Sequence, residues 1–74
     1  MSVFSEILTQ LSVHSAMVDA GTVNNTDFCE FQKIAPRIEN AYTVGYFDWN
    51  AKSALLSIYR AIKADYRVVL CLNR

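Results

Sequence analysis

A chain of 74 residues, with 53% hydrophobic and 19% charged residues, can form one small hydrophobic core but not a second domain. Its seven basic and seven acidic side chains cancel, which argues against a dedicated nucleic-acid-binding domain, because such domains are strongly basic. The low charge content also predicts that apolar surface stays exposed, as it does at an interface with a partner or a second copy.

The charges are unevenly distributed along the chain. Residues 1–32 contain four acidic and no basic side chains, whereas residues 33–74 contain seven basic and three acidic side chains. Such a dipolar chain can pair its own halves or present a charged face to a partner. The simpler interpretation is that these charges lie on the solvated faces of different helices.

The two cysteines, Cys29 and Cys71, have no metal-binding or redox spacing, and with one histidine they predict neither a metal site nor a cofactor. The N-terminal residues lack a positive segment, and no apolar run has the length of a membrane span. We therefore expect a cytoplasmic protein without membrane contact, whose thiols are reduced.

The first predicted helix begins after Ser2, which can cap it, and runs to about Ala20, where Gly21 supplies a left-handed end. Its apolar residues share one arc of a helical wheel, as a core-facing stripe requires. These residues are Val3, Phe4, Ile7, Leu8, Leu11 and Val18.

The second predicted helix opens at Asp27, with Glu30 three residues later in the spacing of a capping box, and ends at Gly45. Its apolar residues keep helical spacing on both sides of Pro36, which disrupts helix interiors. We therefore predict a helix kinked at the proline, or two short helices sharing a face. The stripe consists of Phe28, Phe31, Ile34, Ala35, Ile38, Ala41 and Tyr42.

The third predicted helix is capped by Asp48 and starts at Trp49. Its apolar stripe is Ala51, Ala54, Leu55, Ile58, Ala61 and Ile62. Residues 66–72 fit a continuation of this helix, but the apolar, β-branched run within them also fits a short C-terminal strand. We favour the helix. The sequence thus predicts one all-α domain over residues 1–74, built from three helices.

Catalytic chemistry has few candidate residues. His14 lies in the apolar arc of the first helix, where a hydrogen-bonded core or interface role is more common than general-base catalysis. Cys29 with His14 and Asp19 would form a nucleophile arrangement if the fold joined them. We instead expect Cys29 to be a small buried hydrophobe. Without a phosphate loop or a nucleophile elbow, the sequence predicts a protein that is not an enzyme.

Four aromatic residues cluster around the turn between the second and third helices: Tyr42, Tyr46, Phe47 and Trp49. Aromatic side chains with polar tips are frequent at binding hot spots and can stack on bases. The alternative is that the turn folds over the end of the bundle and buries these rings as a satellite core.

The third helix also carries a cationic face. Lys52, Arg60, Lys63 and Arg67 share one side of the wheel, with Leu56 among them and Tyr59 at the border. Such a face can bind phosphates, or an acidic protein that also uses Leu56 as an apolar anchor. The simpler interpretation is the solvated back of an amphipathic helix.

The leading functional hypothesis is a small non-enzymatic interaction module, a regulator, adaptor or stoichiometric inhibitor that covers a surface on a larger protein and itself forms a dimer. The alternative is a nucleic-acid-binding helical dimer that uses the cationic face of the third helix. The candidate partner-binding residues are Leu56, Tyr59, Arg60, Lys63, Arg67, Tyr46, Phe47 and Trp49.

Overall fold

The computed structural model describes residues 2–72; Met1, Asn73 and Arg74 of the predicted domain lie outside the described residues. The helices are α1 (Val3–Asp19), α2 (Asn25–Gln32), α3 (Ile34–Thr43) and α4 (Trp49–Leu72). The predicted all-α fold is confirmed, and within residues 2–72 no strand forms, because residues 66–72 continue α4. Over this part of the chain, no helix has both the length and the apolar character needed to cross a membrane.

Most helix boundaries follow from local capping, as predicted. The Ser2 hydroxyl accepts a hydrogen bond from the Ser5 backbone N–H at 3.1 Å, and the Asp48 carboxylate accepts one from the Ala51 N–H at 2.9 Å. Gly21 and Gly45 adopt φ angles of 71° and 89°, a left-handed conformation that glycine reaches without a Cβ clash. Each glycine therefore ends its helix and lets the chain turn.

The predicted start of the second helix was wrong by two residues. α2 begins at Asn25, and Asn24 is its N-cap. The Asn24 side chain accepts from the Asp27 N–H at 2.9 Å, while the Asp27 carboxylate accepts from the Asn24 N–H at 3.0 Å. Asp27 is thus the third residue of the helix and the second half of the capping box, because asparagine caps helices as well as aspartate does.

The second predicted helix is divided at Lys33 into α2 and α3. Pro36 is the third residue of α3, where its missing N–H is tolerated because residues in a first helical turn have no intrahelical acceptor. A continuous helix would place the proline ring against the carbonyl of Gln32. The Lys33 N–H instead bonds to the Glu30 carbonyl at 3.2 Å, a tighter turn after which the helix resumes.

The core draws on all four helices and on the loop after α1. α4 packs against both α1 and α3, and α2 packs against α3. The buried side chains are Ile7, Leu11, Val18, Val23, Phe31, Ile34, Ile38, Ala41, Leu55, Tyr59, Ile62 and Tyr66. α1 and α3 also contact each other, so α1, α3 and α4 pack mutually around the core.

The core-facing side of α4 differs from the predicted stripe. Leu55 and Ile62 are buried as expected, and Tyr66 is buried on the same face, as a continuation of the helix through residues 66–72 predicts. Tyr59 is buried as well, whereas Ile58 is 38% exposed. The two alanines at positions 54 and 61 are exposed as well. Burying the tyrosine rings removes more apolar area from water than burying the alanines would. Compared with the predicted orientation, α4 is therefore rotated so that its tyrosines face the core.

This rotation predicts different costs for two neighbouring substitutions on α4. Leu55→Ala should lower the free energy of unfolding by about 2–5 kcal/mol, because it leaves a cavity in the core. Ile58→Ala is the matched control and should cost below about 1 kcal/mol, since its side chain reaches solvent. Urea unfolding followed by circular dichroism measures both values. Equal losses would show that α4 packs through the stripe predicted from sequence.

Candidate interaction surface

The aromatic residues around the α3–α4 turn are divided between core and solvent. Phe47 is half-buried and packs edge-on against Phe4, with ring centroids 6.0 Å apart. Tyr42 is half-buried, with the Lys52 ammonium 4.6 Å from its ring centroid. Tyr46 and Trp49 are 66% and 62% exposed. Two rings therefore anchor the turn, and two are presented to solvent.

The backbone of this turn is held in place by hydrogen bonds. The Tyr46 N–H donates to the Ala41 carbonyl at 2.9 Å, and the Gly45 N–H donates to the Tyr42 carbonyl at 3.0 Å. Together with the positive φ of Gly45, these bonds form a Schellman motif, which closes α3. Tyr46 and Trp49 consequently project from a turn of defined geometry.

The cations of α4 have different environments. Lys52 donates to Glu39 of α3 at 3.1 Å and also lies over the Tyr42 ring, so its charge is compensated within the fold. Arg60 and Arg67 are exposed and Lys63 is half-buried. In the part of the chain that the structure describes, no ion pair includes these three side chains. Among the described residues, they are the cations of α4 whose charge no carboxylate compensates.

The two apolar candidates on the cationic face also differ. Tyr59 is only 7% exposed and stacks on Phe31, with the ring centroids 4.5 Å apart, so its ring belongs to the core. Leu56 is half-buried, packs against that core and still reaches the surface. Leu56 is therefore accessible at the surface, whereas the Tyr59 ring packs between α4 and the rest of the core.

A shallow groove of about 290 Å³ joins the exposed aromatic turn to the cationic face. Its lining residues are Trp49, Lys52, Ser53, Leu56 and Arg60 of α4 and Glu39 of α3. We call this concavity the Trp49–Arg60 groove. It places an exposed indole, a leucine and an uncompensated guanidinium side by side. Along the sequence, Trp49 belongs to the aromatic cluster at the turn, whereas Leu56 and Arg60 belong to the cationic face.

His14 forms a hydrogen-bonded pair with the core, as predicted. Its Nδ1 lies 2.6 Å from the hydroxyl oxygen of Tyr66, and its ring meets Phe31 edge-on at 5.4 Å. Cys29 is exposed, so its prediction as a buried hydrophobe was wrong. The eight residues of α2 bury the face that carries Phe31, and Cys29 points away from it.

Within residues 2–72, no group of three or more histidine, cysteine, aspartate and glutamate side chains is arranged to hold a metal ion. Comparisons with protein families, with curated proteins and with solved structures find no match for this chain. A functional proposal therefore rests on the chemistry of its surfaces.

The His14 pair predicts a pH-dependent stability. Burial lowers the pKa of His14 below 6.5, and the negative charges of Asp27 and Glu30 only partly oppose this effect. The unfolded chain then takes up the proton at a higher pH than the folded chain. The resulting stabilisation is complete above pH 6.5 and is lost as the pH falls through the folded pKa.

Urea unfolding of the wild type and of His14→Gln, at pH values on both sides of 6.5, measures this contribution. The stability advantage of the wild type over the variant should shrink as the pH falls, because glutamine does not titrate. Tyr66→Phe is the control: it removes the hydrogen bond but retains a titrating histidine, so most of its pH dependence should remain. A pH-independent difference between wild type and His14→Gln would contradict the assignment.

Proposed function

We propose that this chain is a small non-enzymatic interaction module that binds a larger protein through the Trp49–Arg60 groove and the turn beside it. The observation that carries the proposal is that Trp49 and Arg60 line one groove. Tryptophan, tyrosine and arginine are the side chains most enriched among binding hot spots. Tyr46 adds a second exposed ring next to this groove.

The chemistry of the surface defines the partner. The uncompensated cations Arg60, Lys63 and Arg67 recur every three to four residues, so they form one stripe along α4. At the other end of the stripe, Trp49 and Leu56 offer apolar contact. The expected partner surface is therefore apolar where it meets Trp49 and acidic along the rest of α4.

A regulator, adaptor or stoichiometric inhibitor acts by covering part of its target, and it needs a surface that is rigid before binding. The Schellman motif at Gly45 and the Asp48 cap support this requirement, because they fix the backbone on both sides of Tyr46. We further propose that the protein acts in the cytoplasm, where the exposed thiols of Cys29 and Cys71 stay reduced.

Nucleic acid is the second candidate partner. The exposed rings of Tyr46 and Trp49 could stack on bases while Arg60, Lys63 and Arg67 contact phosphates. The zero net charge of the chain weighs against this alternative, since phosphate contacts supply most of the affinity of such complexes.

The test starts with affinity purification from the native host, followed by mass spectrometry and nucleic-acid analysis of what binds. Each purified partner is then titrated against two variants. Trp49→Ala should weaken protein binding by roughly 2 kcal/mol at any salt concentration, because it removes a ring that the partner would bury. Arg60→Ala combined with Lys63→Ala should mainly slow association with an acidic protein, an effect that salt removes.

Ile58→Ala is the matched control, because it shortens an exposed apolar side chain of α4 outside the groove. It should leave affinity unchanged. If the double charge variant loses affinity and the salt dependence flattens by about one unit of slope per lost contact, the partner is nucleic acid, whether or not Trp49→Ala also weakens binding. If neither variant differs from the control, the groove is not the binding surface.

We also propose that the chain forms a dimer, supported by exposed apolar residues near the end of α4, among them Val68 and Leu72. Light scattering coupled to size exclusion should give a mass above 8.4 kDa that falls on dilution. Val68→Gln with Leu72→Gln should shift the mass to the monomer, while Val13→Gln on α1 should not. A constant mass of 8.4 kDa would rule out the dimer and leave partner binding intact.

A further inference from the structure

The side of α4 that points away from the core carries no charge along its centre. The buried residues of α4 are Leu55, Tyr59, Ile62 and Tyr66. The residue two positions after each of them is turned about half a turn away from the core. These residues are Ser57, Ala61, Ala64 and Val68, and all four are exposed. Because the solvated back of a surface helix usually carries charged and polar side chains, this face lacks the residues expected of it.

The apolar character of this face increases towards the end of α4. Cys71 and Leu72 follow Val68 at spacings of three and four residues, so the three side chains share one side of the helix. All three are exposed, and Leu72 is the most exposed large apolar side chain among the described residues. We call the surface formed by Ser57, Ala61, Ala64, Val68, Cys71 and Leu72 the outer face of α4.

The two edges of the outer face carry opposite charge. On the side towards α3, Arg60 lines the Trp49–Arg60 groove, and Arg67 follows it about two turns later. On the side towards α1, Asp65 lines a concavity of about 510 Å³ together with Asp19. Among the described residues, none of these four side chains is in an ion pair. The outer face thus has a cationic edge and an acidic edge, and the fold itself compensates neither.

We propose that two copies of this chain pair through the outer faces of their α4 helices, with the helices parallel. This proposal rests on the dimer proposed above and specifies its interface and orientation. A two-fold axis parallel to the helices brings the cationic edge of each copy against the acidic edge of the other. An antiparallel pair would instead bring edges of like charge together, which weakens association. Charge complementarity therefore selects a second copy as the occupant of this face and the parallel orientation of the pair.

The spacing along α4 is that of a parallel coiled coil. The a positions of its heptad are Ala61 and Val68, and the d positions are Ser57, Ala64 and Cys71. Arg60 is then at g and Asp65 at e, the positions that form ion pairs between helices. Two-fold symmetry makes the pair between Arg60 and Asp65 of the second copy occur twice. Arg60 is shared with the Trp49–Arg60 groove, whereas Trp49 and Leu56 lie outside the outer face and stay accessible.

Cross-linking through Cys71 measures the orientation, because a parallel pair places the two Cys71 thiols at the same d position. The experiment oxidises Cys29→Ser, which leaves Cys71 as its single thiol, with dissolved oxygen and a copper–phenanthroline catalyst. Two thiols lose their hydrogens and two electrons to oxygen, and one disulfide joins the chains. A non-reducing gel should show most of the protein as a cross-linked dimer. Cys71→Ser, which keeps the exposed Cys29 of α2, is the matched control and should stay a single chain.

Light scattering of both cysteine variants before oxidation separates the ways in which the proposal can fail. A dimeric mass without the Cys71 cross-link would overturn the parallel pairing and leave the dimer itself standing. Equal cross-linking of the two variants would show random collision and would also overturn the pairing. A monomeric mass would overturn the pairing and the dimer together. Partner binding through the Trp49–Arg60 groove is measured separately, so none of these results decides it.

Charge reversal tests the ion pair between Arg60 and Asp65. Asp65→Arg and Arg60→Asp should each raise the dimer dissociation constant at least about tenfold, because each places like charges opposite each other. The double variant exchanges the two charges and should restore the constant to within about threefold of the wild type. Sedimentation equilibrium measures all four proteins. If the double variant dimerises as weakly as the single variants, Arg60 and Asp65 do not pair and the proposal is overturned.

Discussion

The packing of Phe31 against two tyrosines of α4 is the interaction on which the rest of this structure depends. The Phe31 ring stacks on Tyr59 at 4.5 Å and meets Tyr66 at 4.9 Å, and His14 closes the cluster from α1. Phe31 is the buried residue of the eight-residue α2, so this contact ties a helix too short to be stable alone to the longest helix. Three of the four helices meet at this cluster.

The same cluster determines which side of α4 faces solvent. Once Tyr59 and Tyr66 point inward, the flank that carries Leu56 and Arg60 lies beside α3, and Trp49 opens the same groove. On α1, the hydrogen bond between Tyr66 and His14 holds the imidazole against the core. The position of the Trp49–Arg60 groove is thus a consequence of this aromatic packing arrangement.

Parts of the candidate surface could be predicted from the sequence. The cations of α4 share a wheel position wherever the helix packs, and Trp49 follows a capping aspartate, so their placement on α4 is a local property. The exposure of single residues was not predictable. More than one arc of α4 is apolar, and a helical wheel gives only relative angles, so Tyr59 was expected at the border and Ile58 in the core. Cys29 was predicted to be buried and is exposed for the same reason, because the sequence gives its angle relative to Phe31 but not which of the two faces the core.

The sequence by itself determined the helical class and most helix boundaries, because caps, left-handed glycines and the effect of Pro36 act over one turn of the chain. Even the shift of the α2 N-cap from Asp27 to Asn24 exchanges one local cap for another. Only the tertiary structure decided which rings are buried and that Trp49, Leu56 and Arg60 share a groove with Glu39. These outcomes depend on how much area each side chain buries against distant helices, which no local pattern encodes.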